Sequence, residues 1–212
     1  MGEMIKNQIT LFIDGLEVIV EKGVSVLEAA LKNNIYIPHL CYCPDVKPFG
    51  ACRLCLVEIN GQILPSCLTP AEDGMIVKTK TPDIERIRKI ILELLIANHH
   101  SNCRHCPSSG KCNLQKIRGR LRVNVKRMRP LRMAKEKMPI DTSNPVFDYD
   151  PNRCILCGVC VQICEKKGNN IANFFGRGYV TKVIFLGDTS KCEVCQQCVT
   201  KCPVGALISK KH

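Results

Sequence analysis

The chain has 212 residues, among them 16 Cys, 31 Lys or Arg and 19 Asp or Glu, for a formal net charge of +12. It is too long, and its cysteines too dilute, for a small disulfide-stapled scaffold. No basic start followed by an apolar run marks a secretory leader, and the longest apolar-rich stretch, Ile90 to Ala97, is broken by Glu93 and too short to cross a bilayer. Together these features predict a cytoplasmic globular protein without a membrane span, whose thiols hold metal rather than disulfides.

Residues 8–13 and 16–20 are β-prone and flank Asp14-Gly15, a hairpin signal. Ser25 and Glu28 form a capping box, and Val26, Leu27, Ala30 and Leu31 follow at helical spacing. Residues 53–59 and 75–78 read as further strands, each beside a glycine turn. These elements predict a small α+β domain over residues 1–80, which carries Cys41, Cys43, Cys52, Cys55 and Cys67. Thr81-Pro82 opens a helix with an apolar stripe of Ile84, Ile87, Ile90, Ile91, Leu94 and Leu95. That helix delivers His99 and His100 to Cys103, Cys106 and Cys112, a second module over 81–120.

Residues 116–137 hold ten Lys or Arg and one acid, Glu136. With Pro130, Pro139, Pro145 and Pro151 nearby, an extended connecting segment is predicted over 121–150. The last module, 151–212, contains two similar cysteine runs, an internal repeat that predicts a pseudo-two-fold arrangement.

In that repeat, Cys154-x2-Cys157-x2-Cys160-x3-Cys164 recurs as Cys192-x2-Cys195-x2-Cys198-x3-Cys202-Pro203. This is bacterial ferredoxin spacing, in which three close cysteines wrap one 4Fe-4S core and the fourth reaches to the other. Cys154, Cys157, Cys160 and Cys202 would hold one cluster, and Cys192, Cys195, Cys198 and Cys164 the second. Zinc also uses C-x2-C spacing, but normally as paired knuckles around one ion. Gly158 suits close backbone approach to inorganic sulfide. Glu165 stands where the ferredoxin pattern has proline, which puts the local geometry in question but not the ligation.

The first group, Cys41-x10-Cys52-x2-Cys55-x11-Cys67, shares the central C-x2-C and distant fourth cysteine of plant-type 2Fe-2S ferredoxins but has a longer first gap. The stretch resembles the N-terminal 2Fe-2S domain of the large iron–sulfur subunit of respiratory complex I and the matching region of NAD-linked and iron-only hydrogenases. The resemblance implies a β-grasp fold with Cys41, Cys52, Cys55 and Cys67 as ligands. Cys43 falls where the family often has His and reads as a small buried residue, with a supporting or alternative-ligand role as the other reading. His39 reads as structural.

The second group, His99-x3-Cys103-x2-Cys106-x5-Cys112, has three thiols for four iron corners and needs a fourth ligand. The same family holds a 4Fe-4S cluster through one His and three Cys at this spacing, with the Gly-x-Cys-x-Leu-Gln ending found here over 110–115. The resemblance implies His99 as the ligand; His100 is the alternative and His105 is expected to point outward. A Cys3His zinc site is the competing chemistry.

Fifteen cysteines and one histidine thus account for one 2Fe-2S and three 4Fe-4S clusters. With oxidised clusters bound, the formal surplus of +12 falls to roughly +5. No residue reads as catalytic: Gly176-x-Gly178 lacks the third glycine of a dinucleotide fingerprint, and no P-loop is present. With ten residues after Cys202, no catalytic module is expected to follow. The size and module order resemble the small iron–sulfur (diaphorase) subunit of NAD(P)-linked hydrogenases. The resemblance implies a relay between a partner that binds FMN and NAD(P)(H) and a hydrogenase catalytic subunit, with ferredoxin as a further possible partner. Equivalent subunits of NAD-linked formate dehydrogenases, electron-bifurcating ferredoxin-coupled hydrogenases and compact complex I share the arrangement. Two other classes are a ferredoxin-like carrier acting alone and nucleic-acid binding through 116–137. Against the latter, the basic stretch has no aromatic residue for base stacking, and no nucleic-acid partner is expected.

Overall fold

The computed structural model describes residues 8–99, 103–124 and 137–210. His100 and residues 125–136 of the basic stretch lie outside the described residues. The chain divides into two compact units, Met1–His39 with Cys52–Ile91, and Leu40–Ala51 with Leu92–His212.

In the first unit, β1 (Gln8–Ile13) and β2 (Leu16–Glu21) pair antiparallel. Their turn places Asp14 at φ 51° and Gly15 at φ 82°, the left-handed pair that matches strand twist in a two-residue hairpin. In β1, Leu11 and Ile13 are fully buried while Phe12 faces outward, the period of two expected of a strand with one covered face. Helix α1 (Val26–Lys32) starts at the capping box: Glu28 N–H donates to Ser25 Oγ at 3.2 Å, and Ser25 N–H donates to Glu28 Oε2 at 2.8 Å. β3 (Leu56–Ile59), β4 (Gln62–Pro65) and β5 (Ile76–Lys78) complete the sheet, in the order β2-β1-β5-β3-β4. β1 and β5 run parallel and the other neighbours antiparallel. This five-stranded mixed sheet with its helix is the expected β-grasp. β3 begins three residues later than the sequence pattern predicts, because Arg53 turns through φ 53° before the chain extends. The sequence analysis did not anticipate β4.

Helix α2 (Pro82–Asn98) begins as predicted, with Ile84 N–H donating to Thr81 Oγ1 at 3.3 Å. Its buried face differs from the predicted stripe. Ile84, Arg88, Leu92 and Ile96 are buried at i, i+4 spacing, whereas Ile90 and Leu94 are 47% and 52% exposed. The apolar count passed over Arg88, whose charged end is buried by hydrogen bonds instead.

In the second unit, α3 (Asn113–Leu121) closes the module predicted over 81–120 and takes in the start of the basic stretch at residue 116. Leu114, Ile117 and Val123 are buried, so apolar residues at helical spacing override the alternation of charge. α3 ends at Arg122, in the left-handed conformation at φ 52°. Asn113 N–H donates to Pro203 O at 2.9 Å, joining the second cysteine group to the third. Gly205 sits so close to Ser108 that a Cβ there would lie 1.7 Å from Ser108 Oγ, so only glycine allows that approach.

The internal repeat folds as two strand pairs and packed helices. β6 (Phe147–Tyr149) pairs with β9 (Leu207–Ser209), and β7 (Ala172–Phe175) pairs with β8 (Lys182–Phe185), both antiparallel. α4 (Val159–Lys166) packs on α6 (Gln197–Lys201), which follows the short α5 (Ser190–Cys195). Phe185 stacks edge-on against Phe147 and Tyr149, at ring distances of 5.0 and 5.3 Å, between the two strand pairs. The halves differ where the repeat does: α4 runs two residues past Cys164, whereas α6 stops before Cys202, which Pro203 holds extended at ψ 118°. Among the described residues no helix is long and apolar enough to cross a membrane.

Candidate metal centres

None of the sixteen cysteines is joined in a disulfide. In the repeat, Cys160 is influenced electrostatically by Cys157, Cys154, Cys202 and Cys198. Cys198 is influenced by Cys192, Cys195 and Cys164. The structure thus brings Cys202 to the first run and Cys164 to the second. Several sulfurs accept backbone N–H groups: Leu156 N–H donates to Cys154 Sγ at 3.4 Å, Ile171 and Ala172 N–H to Cys164 Sγ at 3.2 and 3.4 Å, and Ala206 N–H to Cys202 Sγ at 3.3 Å. A cluster-bound thiolate would accept such N–H groups.

Burial, and then the neighbouring thiols, oppose ionisation. They push the Cys157 and Cys198 pKa values up to about 12 and that of Cys160 well above the ordinary thiol value. Eight crowded thiols, Cys157 buried and the others partly so, with N–H groups directed at several of the sulfurs, form a donor set that fits iron–sulfur clusters. Gly158 is at φ +77°, where a Cβ would come 3.0 Å from Phe49 Cδ1. The close neighbour at that glycine is thus an aromatic ring. Glu165 is accommodated inside α4, where a proline would remove a helix N–H.

In the second group, Cys112 precedes α3 as its cap residue. Burial raises its pKa, the amides of Gln115 and Leu114 lower it, and Cys106 and Cys103 raise it again. The three thiols are therefore neighbours. Gln115 Oε1 accepts Gly110 N–H at 3.0 Å and closes the loop between them. His99 follows α2 directly and is 6% exposed, a buried imidazole in the same unit. His105 is exposed, as expected.

In the first group, Cys52, Cys55 and Cys67 are buried in the first unit. Ser66, fully buried, donates from both N and Oγ to Cys55 O, at 3.1 and 2.7 Å, and so fixes Cys67 beside Cys55. The same loop accepts the first amides of α1: Leu27 N–H donates to Ser66 O and Val26 N–H to Thr69 O. These bonds satisfy helix donors that would otherwise lack partners. Cys41 is buried in the second unit, where it influences Cys157 electrostatically. Cys43 Sγ donates to Asp45 Oδ2 at 3.7 Å, and His39 Nδ1 lies 2.8 Å from Ile37 O.

The sequence analysis missed Arg88, Ser66 and Asp45. Arg88 alone left a signal, as a charged residue at i, i+4 spacing between Ile84 and Leu92. Among the described residues there is no group of three or more His, Cys, Asp or Glu side chains that could hold a metal ion. Ligands of a single ion must converge on one point, whereas each iron of a 4Fe-4S core takes its own protein ligand.

Three family models match the chain in order: a 2Fe-2S iron–sulfur cluster binding domain over 6–82, an NADH-ubiquinone oxidoreductase-G iron–sulfur binding region over 88–127, and a 4Fe-4S dicluster domain over 153–206. The gamma subunit of the NAD-reducing hydrogenase HoxS of Cupriavidus necator is 30% identical over 96% of this chain and 88% of its own length. This chain belongs to that family. A chain of a NAD+-reducing NiFe-hydrogenase, solved in its H2-reduced state, is 35% identical over 96% of this chain and 88% of its own, with a TM-score of 0.84. The alpha subunit of a NADPH-Fe(3+) oxidoreductase of Geobacter sulfurreducens is 39% identical over 95% of this chain. This chain spans 24% of that relative's length. Among HoxS gamma-type chains, this one therefore carries 2Fe-2S and 4Fe-4S domains in an α+β fold.

Proposed function

We propose that this chain is the electron-relay subunit of a cytoplasmic NAD(P)-linked hydrogenase. It passes single electrons between a partner that binds FMN and NAD(P)(H) and a hydrogenase catalytic subunit. When bound, iron–sulfur clusters accept and release one electron at a time. Cys41, Cys52, Cys55 and Cys67 hold a 2Fe-2S cluster. His99, Cys103, Cys106 and Cys112 hold a 4Fe-4S cluster. Cys154, Cys157, Cys160 and Cys202 hold a second 4Fe-4S cluster, and Cys192, Cys195, Cys198 and Cys164 a third. Among the described residues the chain itself contributes no substrate site.

The observation that carries this reading is the crossing of the repeat: Cys202 acts on Cys160, and Cys164 acts on Cys198. Each run thus lends its fourth thiol to the other. One further contact ties the second cysteine group to the third: Asn113 N–H docks on Pro203 O. Burial keeps water from Cys157, and backbone amides are directed at Cys154, Cys164 and Cys202. The gamma-subunit relative and the hydrogenase structure support a hydrogenase as the destination. The Geobacter relative favours a second reading, the same relay in an NADPH-linked complex whose final acceptor is not hydrogenase.

Iron and sulfide analysis with EPR of the anaerobically reconstituted chain tests the reading. About 14 irons per chain, with one 2Fe-2S and three 4Fe-4S signals, are expected. Stoichiometric zinc with little iron would refute it. Co-purification of the tagged chain with flavin and nickel–iron subunits separates the two destinations and excludes a carrier acting alone.

A further inference from the structure

Arg88 is 4% exposed in the middle of α2. Its guanidinium donates from Nε to Leu54 O at 3.0 Å, from Nη2 to Leu56 O at 2.6 Å and from Nη1 to Thr79 O at 2.9 Å. Leu54 and Leu56 flank Cys55 in the chain, so two of the three bonds bracket that cysteine. No ion pair of Arg88 occurs among the described residues.

A buried cation held only by neutral carbonyls is costly, because their dipoles replace lost hydration but leave a full positive charge in a poorly polarisable surrounding. Burial accordingly lowers the Arg88 pKa, and ionised Cys55 is the largest influence in the opposite direction. The guanidinium nevertheless keeps its proton, since arginine does not deprotonate in proteins. A folding requirement for three carbonyl partners would explain the hydrogen bonds. It does not explain why the donor is charged and placed around a thiol.

We infer that Arg88 sets the reduction potential of the 2Fe-2S cluster at Cys41, Cys52, Cys55 and Cys67, by holding a fixed positive charge behind Cys55. This rests on the cluster assignment proposed above. A 2Fe-2S core with four thiolates carries about −2 when oxidised and about −3 when reduced. Arg88 therefore attracts the reduced form more strongly by one unit of charge, from within electrostatic reach of Cys55 and with little solvent screening. The guanidinium raises the potential and makes this site a better electron acceptor than its four thiolates alone would. Arg88 is a positioning residue as well, because the same bonds fix the backbone on both sides of Cys55.

EPR-monitored redox titration of the reconstituted full chain separates the charge from the scaffold. Arg88→Gln and Arg88→Met, both neutral, are expected to shift the 2Fe-2S midpoint to lower potential and leave the three 4Fe-4S midpoints in place. Arg88→Lys keeps the charge but cannot make the three-way fork, and is expected to stay near the wild-type midpoint. An unchanged midpoint in a neutral variant, or a fall in Arg88→Lys, overturns the inference. If one neutral variant fails to load, the other decides, and failure of both while Arg88→Lys loads at the wild-type midpoint overturns the inference in favour of a purely structural role. A wild-type chain without a 2Fe-2S signal would instead overturn the cluster assignment.

Discussion

Asp45 accepts a hydrogen bond from Lys201 Nζ at 2.7 Å, and its backbone carbonyl accepts Lys166 Nζ. Lys201 immediately precedes Cys202 and Lys166 follows Cys164 by two positions. One loop residue is thus tied to both halves of the repeat, next to the two thiols that cross between them. The bond to Lys201 is also the main reason that the Asp45 carboxyl lies below its ordinary pKa. The loop tied down in this way, residues 40–51, is the one that carries Cys41 and Cys43.

Both Asp45 and Lys201 are solvent-accessible, so neither contact adds much to global stability. The expected effect is local. Lys166→Met with Lys201→Met should leave the melting temperature nearly unchanged but accelerate amide exchange over residues 42–47. Hydrogen–deuterium exchange with peptide resolution measures this. Protection equal to wild type would show that the loop is held by its buried cysteines alone.

Features carried by neighbouring residues were legible in the sequence. Asp14-Gly15 announces its hairpin, Ser25 with Glu28 its helix start, and Thr81-Pro82 the start of α2. The cysteine runs imply the crossed pattern although its fourth thiols are distant in sequence, because the spacing within each run is itself local and carries the signature. What was hidden depends on contacts distant in sequence. Arg88 is buried because Leu54 and Leu56, more than thirty residues away, offer carbonyls. β4 is a four-residue strand that ends in Pro65 and pairs only with β3, an edge position where proline is tolerated. α3 was obscured because its basic residues dominate the pattern, although Leu114 and Ile117 give it one buried face.

Ser66→Ala tests the support beneath Cys55. Ser66 is fully exposed to neither solvent nor an alternative partner: it is buried at 0% exposure and its hydroxyl donates to Cys55 O at 2.7 Å. Alanine removes the donor, while Ser66 N–H still reaches the same carbonyl at 3.1 Å. A loss of about 1–2 kcal/mol is expected in urea unfolding of the anaerobically prepared chain. No measurable loss would mean that the backbone bond suffices.

Gly158→Ala combines two costs. The residue would have to hold φ +77°, and its Cβ would meet the Phe49 ring at 3.0 Å. A destabilisation of about 1–3 kcal/mol is expected. Combining Gly158→Ala with Phe49→Ala relieves the contact but leaves the backbone strain, so the double variant should show a favourable coupling energy in a double-mutant cycle. Strict additivity would show that the ring yields without cost.

Cys43→Ser distinguishes a structural thiol from a ligand. Cys43 is 5% exposed and its Sγ donates to Asp45 Oδ2 at 3.7 Å. Serine keeps the donor and loses little volume. All four EPR signals are expected to persist in Cys43→Ser, with iron content unchanged. Loss of the 2Fe-2S signal alone would instead place Cys43 among the ligands and displace one of Cys41, Cys52, Cys55 and Cys67.

His99→Ala addresses the proposed nitrogen ligand. His99 is buried directly after α2, and the neighbouring thiols Cys103, Cys106 and Cys112 leave one iron corner to fill. Removal of the imidazole should alter one 4Fe-4S signal and leave the other three signals intact. His99→Cys restores a fourth ligand but replaces a neutral donor with a thiolate, which makes the site one charge more negative. Its signal should therefore return at a lower potential than in the wild type. An unaltered spectrum in His99→Ala would transfer the role to His100, and the same pair of substitutions at His100 would then show the loss and the lowered potential.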